Sequence, residues 1–150
     1  MSEATANLGE QPRPYFRRDQ GDGISPPDLS KTYSYAEHIV HARGKRSQFT
    51  SISLDLAKIR DFGDTNYRLK REETEQDGHI IIEHENLITE LRRVVSEQDK
   101  AERYRAVQAI RYATRRMEGL VTWTFNTNGV AGKDLINWAA QRVRPYFAKV

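Results

Sequence analysis

One short segment constrains the fold more than any other part of the sequence, because it combines a strand pattern with a polar end. Residues 48–53 read Gln-Phe-Thr-Ser-Ile-Ser, and a helical pattern follows at once from Leu54 to Phe62. β-Branched and aromatic residues favour a strand here. Alternation along a strand places Ser51 and Ser53 on one face. The segment therefore predicts a strand that ends in two hydroxyl side chains, and strand ends commonly build binding sites.

Length and composition indicate one domain. The chain has 150 residues, enough for a single hydrophobic core, and 37% of them are hydrophobic. Residues 1–12 are small and polar without an apolar period, so we expect a flexible leader or linker, followed by a single domain over 13–150. The absence of cysteine excludes disulfides, thiolate catalysis and zinc sites built on sulfur.

The charge of the chain is mildly positive. The net charge of +3 comes from 24 basic and 21 acidic residues, which are scattered along the sequence. A dedicated nucleic-acid-binding protein usually has a larger and more clustered basic excess. A modest positive charge still helps an enzyme whose substrate carries phosphates. The sequence has no apolar run long enough for a membrane span and no recognisable secretory signal, so we expect neither.

Short strand and helix patterns alternate along the rest of the chain. Strands are predicted at 14–19, 47–53, 79–83 and 119–125. Helices are predicted at 34–42, at 54–62, from a cap at Asn86, and at 99–115 with Asp99 as the N-cap. The three isoleucines in 79–83 predict a central strand buried on both faces, whereas 64–78 is predicted to be a mobile loop. A helix and a strand are both open for 134–142. This pattern predicts an α+β fold in which the strands are not all parallel.

Three residues at predicted strand ends are suited to one kind of chemistry. Arg17 lies on the first strand, Ser51 on the second and Glu118 just before the last. Cleavage of the bond between a ribose and nicotinamide passes through a cationic, oxocarbenium-like sugar. A carboxylate can stabilise that cation, an arginine can hold phosphates, and a hydroxyl can position either group. This order of residues predicts a site that binds a dinucleotide and breaks a glycosidic bond.

Four short motifs resemble the Arg–Ser–Glu class of ADP-ribosyltransferases. They are Tyr-Phe-Arg-Arg-Asp at 15–19, Glu-His-Ile at 37–39, Phe-Thr-Ser-Ile-Ser at 49–53 and Glu-Gly-Leu-Val at 118–121. Over residues 14–140 the pattern resembles pierisin-like and scabin-like toxins and toxin domains of bacterial secretion systems. The resemblance implies an ADP-ribosyltransferase-like fold with a split, mixed β-sheet core and flanking helices. It also implies cleavage of NAD and transfer of ADP-ribose to a macromolecular acceptor.

The resemblance implies catalytic roles for the matching residues. Arg17 would hold the pyrophosphate of NAD, and Asp19 would orient Arg17 or the loop that follows it. Glu118 would bind the ribose 2′-hydroxyl and stabilise the oxocarbenium ion. Ser51 would bind the nicotinamide ribose or position Glu118. NAD therefore enters as a substrate.

Further residues would complete the NAD site. His38 would contact the adenosine side, and Ser53 would support the strand end or cap the next helix. Phe62 or Tyr67 would pack on the nicotinamide ring. His38 and His41 share a helix face, but no acidic or cysteine cluster joins them, so we expect no metal.

The sequence departs from the family pattern at two positions. Ile52 stands where the serine motif often has threonine, and Arg116 stands where many members have a glutamate or glutamine that positions the acceptor. The segment Glu83-His84-Glu85 offers a rival Glu-x-Glu pattern for the catalytic carboxylate. We prefer Glu118 because the family places this glutamate on a late strand, after a helical insertion.

Two other functions stay open at this stage. A glycohydrolase would use water as acceptor, and a non-catalytic module would bind nucleic acid or an acidic protein through the arginine-rich helix at 99–115. The resemblance further implies a toxin or effector that acts in the cytoplasm, reaches it by secretion or delivery, and is neutralised by an immunity or antitoxin protein. The acceptor can be a protein, a nucleic acid or a small nucleotide.

Overall fold

The computed structural model describes residues 12–21, 23–41, 45–97 and 99–150, and the fold within these ranges is α+β, as predicted. Three short 3₁₀ helices lie at Leu56–Phe62, Gly132–Asp134 and Arg144–Tyr146. The predicted leader lies outside the described residues apart from Pro12. In chain order the main elements are β1 (Phe16–Asp19), α1 (Tyr35–Val40), β2 (Phe49–Ser53), β3 (Thr65–Leu69), α2 (Arg71–Gln76), β4 (Ile80–Ile82), α3 (His84–Glu97), α4 (Lys100–Arg116), β5 (Glu118–Thr122), α5 (Leu135–Val143) and β6 (Phe147–Lys149).

The six strands form one sheet that is narrow at its centre. Their order is β4-β5-β2-β1-β3-β6, and every pairing between described strands is antiparallel, so the prediction of a mixed sheet is wrong on that point. β2 pairs with β5 along its whole length, from Phe49 to Ser53. By contrast, the described residues of β1 and β2 are joined only where Phe16 lies opposite Ser53. The sheet therefore divides into two halves at a junction one residue pair wide.

Alternation along the strands sends apolar side chains to both faces of the sheet. Ile52 and Val121 belong to one buried cluster, and Phe49 and Leu120, on the opposite face of the same two strands, belong to another. The first cluster is completed by Tyr15, Ile24, Tyr67, Leu69, Trp123, Val143 and Phe147. The second is completed by residues of α1, α3 and α4, namely Ala36, Ile39, Leu87, Ile88, Leu91, Ala109 and Ala113. Three helices thus cover the face of the sheet that carries Ser51 and Ser53.

Helix α1 begins with a complete capping box. The Ser34 hydroxyl accepts a hydrogen bond from the N–H of Glu37, and the Glu37 carboxylate accepts one from the N–H of Ser34. These two bonds satisfy donors that a helix start otherwise leaves unpaired. The helix therefore has a defined start, and its buried face carries His38 towards β2.

Helix α4 turns sharply into β5. Asp99 caps its N-terminus, as predicted, by accepting a hydrogen bond from the N–H of Glu102. At the other end, Met117 is left-handed, with φ 51° and ψ 47°, and β5 begins at the next residue. Arg116 and Glu118 are therefore separated by a single residue with a left-handed backbone conformation.

Two predictions for the segment between β2 and α3 are wrong. Residues 64–78 form β3 and α2 instead of a mobile loop, because Tyr67 and Leu69 supply the buried face of a short strand. The isoleucine run forms β4, which is an edge strand and not a central one. Ile80 is 51% exposed, so a β-branched run does not by itself show burial on both faces.

Two helices differ from their predictions, and a third segment, for which helix and strand were both open, is now assigned. Helix α3 starts at His84, so Asn86 lies inside it and does not cap it. The segment after β2 is a 3₁₀ helix capped by Asp55, whose side chain accepts from the N–H of Ala57. The ambiguous segment at 134–142 is helical and forms α5.

Gly119 provides a test of how tightly β5 packs. A methyl group added at Gly119 would lie 2.8 Å from the carbonyl oxygen of Ile82 and 2.9 Å from a ring carbon of Tyr15. We expect Gly119→Ala to destabilise the fold by about 1–3 kcal/mol, as overpacked cores do. Thermal unfolding would then show a Tm lower by ~2–4 °C for each kcal/mol. Gly132→Ala is the matched control, since no described atom lies within 4 Å of the added carbon. An unchanged Tm for Gly119→Ala would contradict this packing.

Candidate functional site

The three residues singled out at strand ends converge on one cavity. Arg17 comes from β1, Ser51 from β2 and Glu118 from β5, and these strands are neighbours in the sheet. The cavity has a volume of about 390 Å³ and lies beside the narrow junction of the sheet. A cavity of this size is in the usual range for small-molecule sites. Residues far apart in sequence are therefore brought to one concave surface.

The lining of the cavity is strongly basic. It includes five cations against two carboxylates, so its field favours an anionic ligand. The cations are Arg17, Arg18, Lys45, Arg46 and Arg116, and the carboxylates are Asp19 and Glu118. One serine and two prolines at 25–27, together with Phe62 and Ile59, form other parts of the wall.

Arg17 is held firmly on its own strand and across the junction. Its Nε lies 2.5 Å from Oδ2 of Asp19, and its Nη2 donates to Oδ1 of the same carboxylate at 3.3 Å. Its Nη1 donates to the main-chain carbonyl of Ser51 at 2.8 Å. These contacts use three of the five N–H donors of a guanidinium. The paired carboxylate therefore orients Arg17, as the resemblance implied for Asp19.

Ser51 connects Glu118 to a buried histidine. Its hydroxyl donates to Oε2 of Glu118 at 2.7 Å, and Nε2 of His38 lies 2.6 Å from the same hydroxyl oxygen. A hydroxyl has one proton to donate. When that proton points at the carboxylate, the Ser51 oxygen must accept from His38, so Nε2 of the imidazole carries the hydrogen.

The tautomer of His38 extends this chain of hydrogen bonds. Its Nδ1 contacts the hydroxyl of Ser47, which in turn accepts from the main-chain N–H of Phe49. A neutral imidazole with hydrogen on Nε2 accepts at Nδ1, so the Ser47 hydroxyl donates there. All four bonds then point the same way, from the β2 backbone to the Glu118 carboxylate. Aligned chains of this kind polarise one another and strengthen each bond.

The Glu118 carboxylate is almost fully buried. It is 2% exposed, and burial raises its pKa above 4.5, against the opposing effects of the Ser51 hydrogen bond and of Arg116 and Arg17. A buried carboxylate with few donors binds a neighbouring cation strongly, because the surrounding dielectric is low. In its ionised form this carboxylate is suited to stabilise a positive charge that enters the cavity.

His38 remains neutral over the physiological range. Burial lowers its pKa from 6.5 to about 3, and the positive charges of Arg17 and Arg116 add to this effect. The ring also meets Phe49 edge-on, with centroids 5.6 Å apart. It acts as a neutral hydrogen-bonding group that supports Ser51, and it also lines the cavity.

The remaining predicted NAD-binding residues separate into two groups. Ser53 and Phe62 line the cavity, but Tyr67 packs in the first apolar cluster, where its hydroxyl donates to the carbonyl of Gly21. Of the two aromatic candidates, Phe62 is therefore the one that lines the cavity. Ser53 accepts from the N–H of Asp55 and donates to the carbonyl of Arg116, so it supports the strand end and does not cap the helix.

The rival carboxylates do not line the cavity. Glu83 binds Arg71 and accepts a hydrogen bond from the Tyr15 hydroxyl at 3.0 Å. Glu85 lies on the surface beside Arg13. The structure thus brings Glu118, and neither member of the Glu-x-Glu pattern, next to Arg17 and Ser51.

Two features of the site were not identified from the sequence. Ser47 supplies the hydroxyl behind His38, and Lys45 and Arg46 add charge to the cavity rim. Strand alternation gives the signal for Ser47, since 47, 49, 51 and 53 share one face. The two cations lie in the loop before β2, and the sequence alone does not show that this loop borders the cavity.

Searches across family models, curated proteins and solved structures found no match for this chain. In the described part of the chain, no group of three or more histidine, aspartate or glutamate side chains could hold a metal ion. No helix there is long and apolar enough to cross a membrane.

His38 should make the protein sensitive to acid. A histidine whose pKa is depressed in the folded state takes up its proton first in the unfolded chain, so stability is retained above pH 6.5 and lost as the pH falls towards about 3. We expect His38→Gln to flatten the dependence of Tm on pH in this window. His41→Gln is the matched control, because His41 is an exposed histidine at the C-cap of the same helix and not on its buried face. Equal slopes for wild type and His38→Gln would rule out this role.

Proposed function

We propose that this protein is an NAD-dependent ADP-ribosyltransferase of the toxin or effector type. It would cleave the bond between nicotinamide and ribose and transfer ADP-ribose to a macromolecular acceptor. One observation carries the proposal: Arg17, Ser51 and Glu118 come from three adjacent strands and meet in a basic cavity of about 390 Å³. Each is the residue type that the chemistry needs at that point.

The proposed reaction follows from the charges of the site. The bond between C1′ of the ribose and the nicotinamide nitrogen breaks, and its electrons leave with nicotinamide, which becomes neutral. The positive charge that develops on the ribose is stabilised by the Glu118 carboxylate, which Ser51 orients at 2.7 Å. The acceptor then adds its lone pair to C1′ and releases a proton. Arg17 and its neighbouring cations would hold the pyrophosphate.

The shape of the sheet is consistent with the proposed ADP-ribosyltransferase-like fold. A split sheet places its cleft between the two halves, and here the cavity lies where β1 and β2 are joined by the pair Phe16–Ser53. The cleft is lined from one half by Arg17 and from the other by Ser51 and Glu118. This placement supports the finer fold assignment as part of the proposal.

A second candidate is an NAD glycohydrolase, in which water takes the place of the acceptor. The observation that favours it is Arg116, which lies 3.9 Å from Glu118. Many members of the class that the sequence resembles carry a glutamate or glutamine at this position. A cation there cannot accept a proton from an incoming nucleophile. Radioactive label from the adenylate half of NAD would remain on small molecules in this case and would join a macromolecule in the first.

A third candidate is a binding module without catalysis. The outer side of α4 is basic and includes two exposed apolar residues, Tyr104 and Val107. Its exposed cations are Lys100, Arg103, Arg111 and Arg115. Binding of nucleic acid through this face would weaken steeply with salt.

Release of nicotinamide from NAD tests the proposed enzyme. We expect Glu118→Gln to lower kcat/KM by at least about 100-fold, as the loss of a group that stabilises transition-state charge does. Glutamine keeps the size of the side chain and a hydrogen-bond acceptor for Ser51 but removes the charge. The assay should include acidic and basic macromolecules as acceptors, because some transferases turn over slowly alone.

Glu85→Gln is the matched control, since it removes the same charge from a surface carboxylate that lies outside the cavity. It should retain wild-type activity and would also test the rival assignment of the catalytic carboxylate. Loss of activity in Glu85→Gln, with retention in Glu118→Gln, would reverse the assignment. An absence of both nicotinamide release and NAD binding by folded wild-type protein would leave the binding module as the function.

A further inference from the structure

The second oxygen of the Glu118 carboxylate has an unusual environment. Oε2 accepts from Ser51, but among the described residues no hydrogen-bond donor reaches the buried Oε1. Burying an ionised oxygen without a donor is costly unless an opposite charge compensates it. The site must therefore supply that charge from nearby if Glu118 is to act as an anion.

The cations and polar groups around Glu118 can be considered one element at a time. From β1, Arg17 is bound to Asp19 and to the Ser51 carbonyl. From α1, Nε2 of His38 lies 3.9 Å from Oε2, and its pKa of about 3 keeps it uncharged. From α3, His84 contacts the main-chain carbonyl of Glu118 and not its carboxylate. The end of α4 supplies the remaining group, Arg116.

Arg116 faces the oxygen that lacks a donor. Its Nη1 lies 3.9 Å from Oε1, and its side chain is 17% exposed, so solvent screens this pair less than a surface ion pair. The guanidinium also lies over the rings of Phe62 and Tyr112, at 5.0 Å and 5.2 Å from their centroids. Two aromatic faces attract a cation and limit its movement. The left-handed Met117 sets the spacing between the two charged side chains.

We infer that Arg116 is a positioning residue whose charge keeps the buried Glu118 carboxylate ionised and directed into the cavity. This inference rests on the proposed function for its catalytic meaning, but the charge coupling it describes does not. In this protein Arg116 would therefore act on Glu118, whereas the glutamate or glutamine found at this position in many members of the resembled class positions the acceptor. The same cation would repel a positively charged acceptor, so it narrows the acceptor to a neutral or anionic nucleophile.

The first experiment follows nicotinamide release as a function of pH in wild type, Arg116→Gln and Arg116→Lys. An opposite charge at this distance lowers the pKa of a carboxylate, and its loss should move the acid limb of kcat/KM to higher pH by about one pH unit or more. Arg116→Lys retains the charge and should restore most of the wild-type profile. Arg115→Gln removes a neighbouring exposed cation and should leave the profile unchanged.

A second experiment requires no activity. Tm is measured from pH 4 to pH 9 for Arg116→Gln, for Glu118→Gln and for the double variant. Because the pKa of Glu118 is raised in the folded state, the folded protein loses stability as the pH rises and this carboxyl ionises. Removal of the Arg116 charge should raise that pKa further and make the loss of stability with pH steeper. In the Glu118→Gln background the same change should have a smaller effect on Tm, because the charge it compensates is absent.

The outcomes distinguish this inference from the proposed function. Coupled Tm values, with neither NAD cleavage nor NAD binding by wild type or any variant, would support the charge pair and overturn the enzyme. Cleavage that shows an unchanged acid limb in Arg116→Gln, together with additive Tm values, would retain the enzyme and overturn the inference. A moved acid limb that Arg116→Lys restores, with coupled Tm values, would support both.

Discussion

The site depends on the interaction by which Arg17 spans the two halves of the sheet. The strands β1 and β2 meet at one residue pair, Phe16 and Ser53, so their ladder contributes little to holding the halves in register. The bond from Arg17 to the Ser51 carbonyl adds a side-chain link across the same gap. Asp19 fixes the guanidinium that makes this link. A residue suited to bind phosphate therefore also determines where the serine strand lies.

Burial gives the other half of the site its chemistry. Glu118 would be solvated and weakly interacting at an ordinary strand end. Here three helices cover that face of the sheet, and the carboxylate is stabilised by the Ser51 hydrogen bond and by the positive charges of Arg116 and Arg17. His38 remains neutral and directs its hydrogen towards Ser51, so the polar chain behind the site points at the carboxylate. An anion prepared in this way needs little rearrangement when a positive charge develops beside it.

Local pattern predicted the parts of this molecule that depend on neighbouring residues. The cap at Asp99, the α+β class and the strand that carries Ser51 follow from short-range chemistry. The β3 and α2 elements were missed because their sequence is polar and only Tyr67 and Leu69 provide an apolar alternation. The edge position of β4 could not be predicted, since strand order is decided by contacts between distant segments.

The candidate site shows the same limit. Arg17, Ser51 and Glu118 could be chosen by residue type and order, and the structure brings them together. Tyr67 and Phe62 were equivalent choices from the sequence, because both are aromatic residues that follow the serine strand. Only the packing of β3 separates them, with Tyr67 in the core and Phe62 at the cavity. Tertiary contacts decide whether an aromatic side chain lies in the core or at the site, and the local sequence does not contain that information.

The left-handed conformation of Met117 has a consequence for the residues that evolution can accept at this position. A left-handed conformation costs a residue with a side chain roughly 1–2 kcal/mol, and glycine would avoid that cost. Glycine would also loosen the one turn that sets Arg116 beside Glu118. Strain of this kind concentrates where geometry is needed more than stability. Selection for a more stable protein and selection for a working site would therefore favour different residues at position 117.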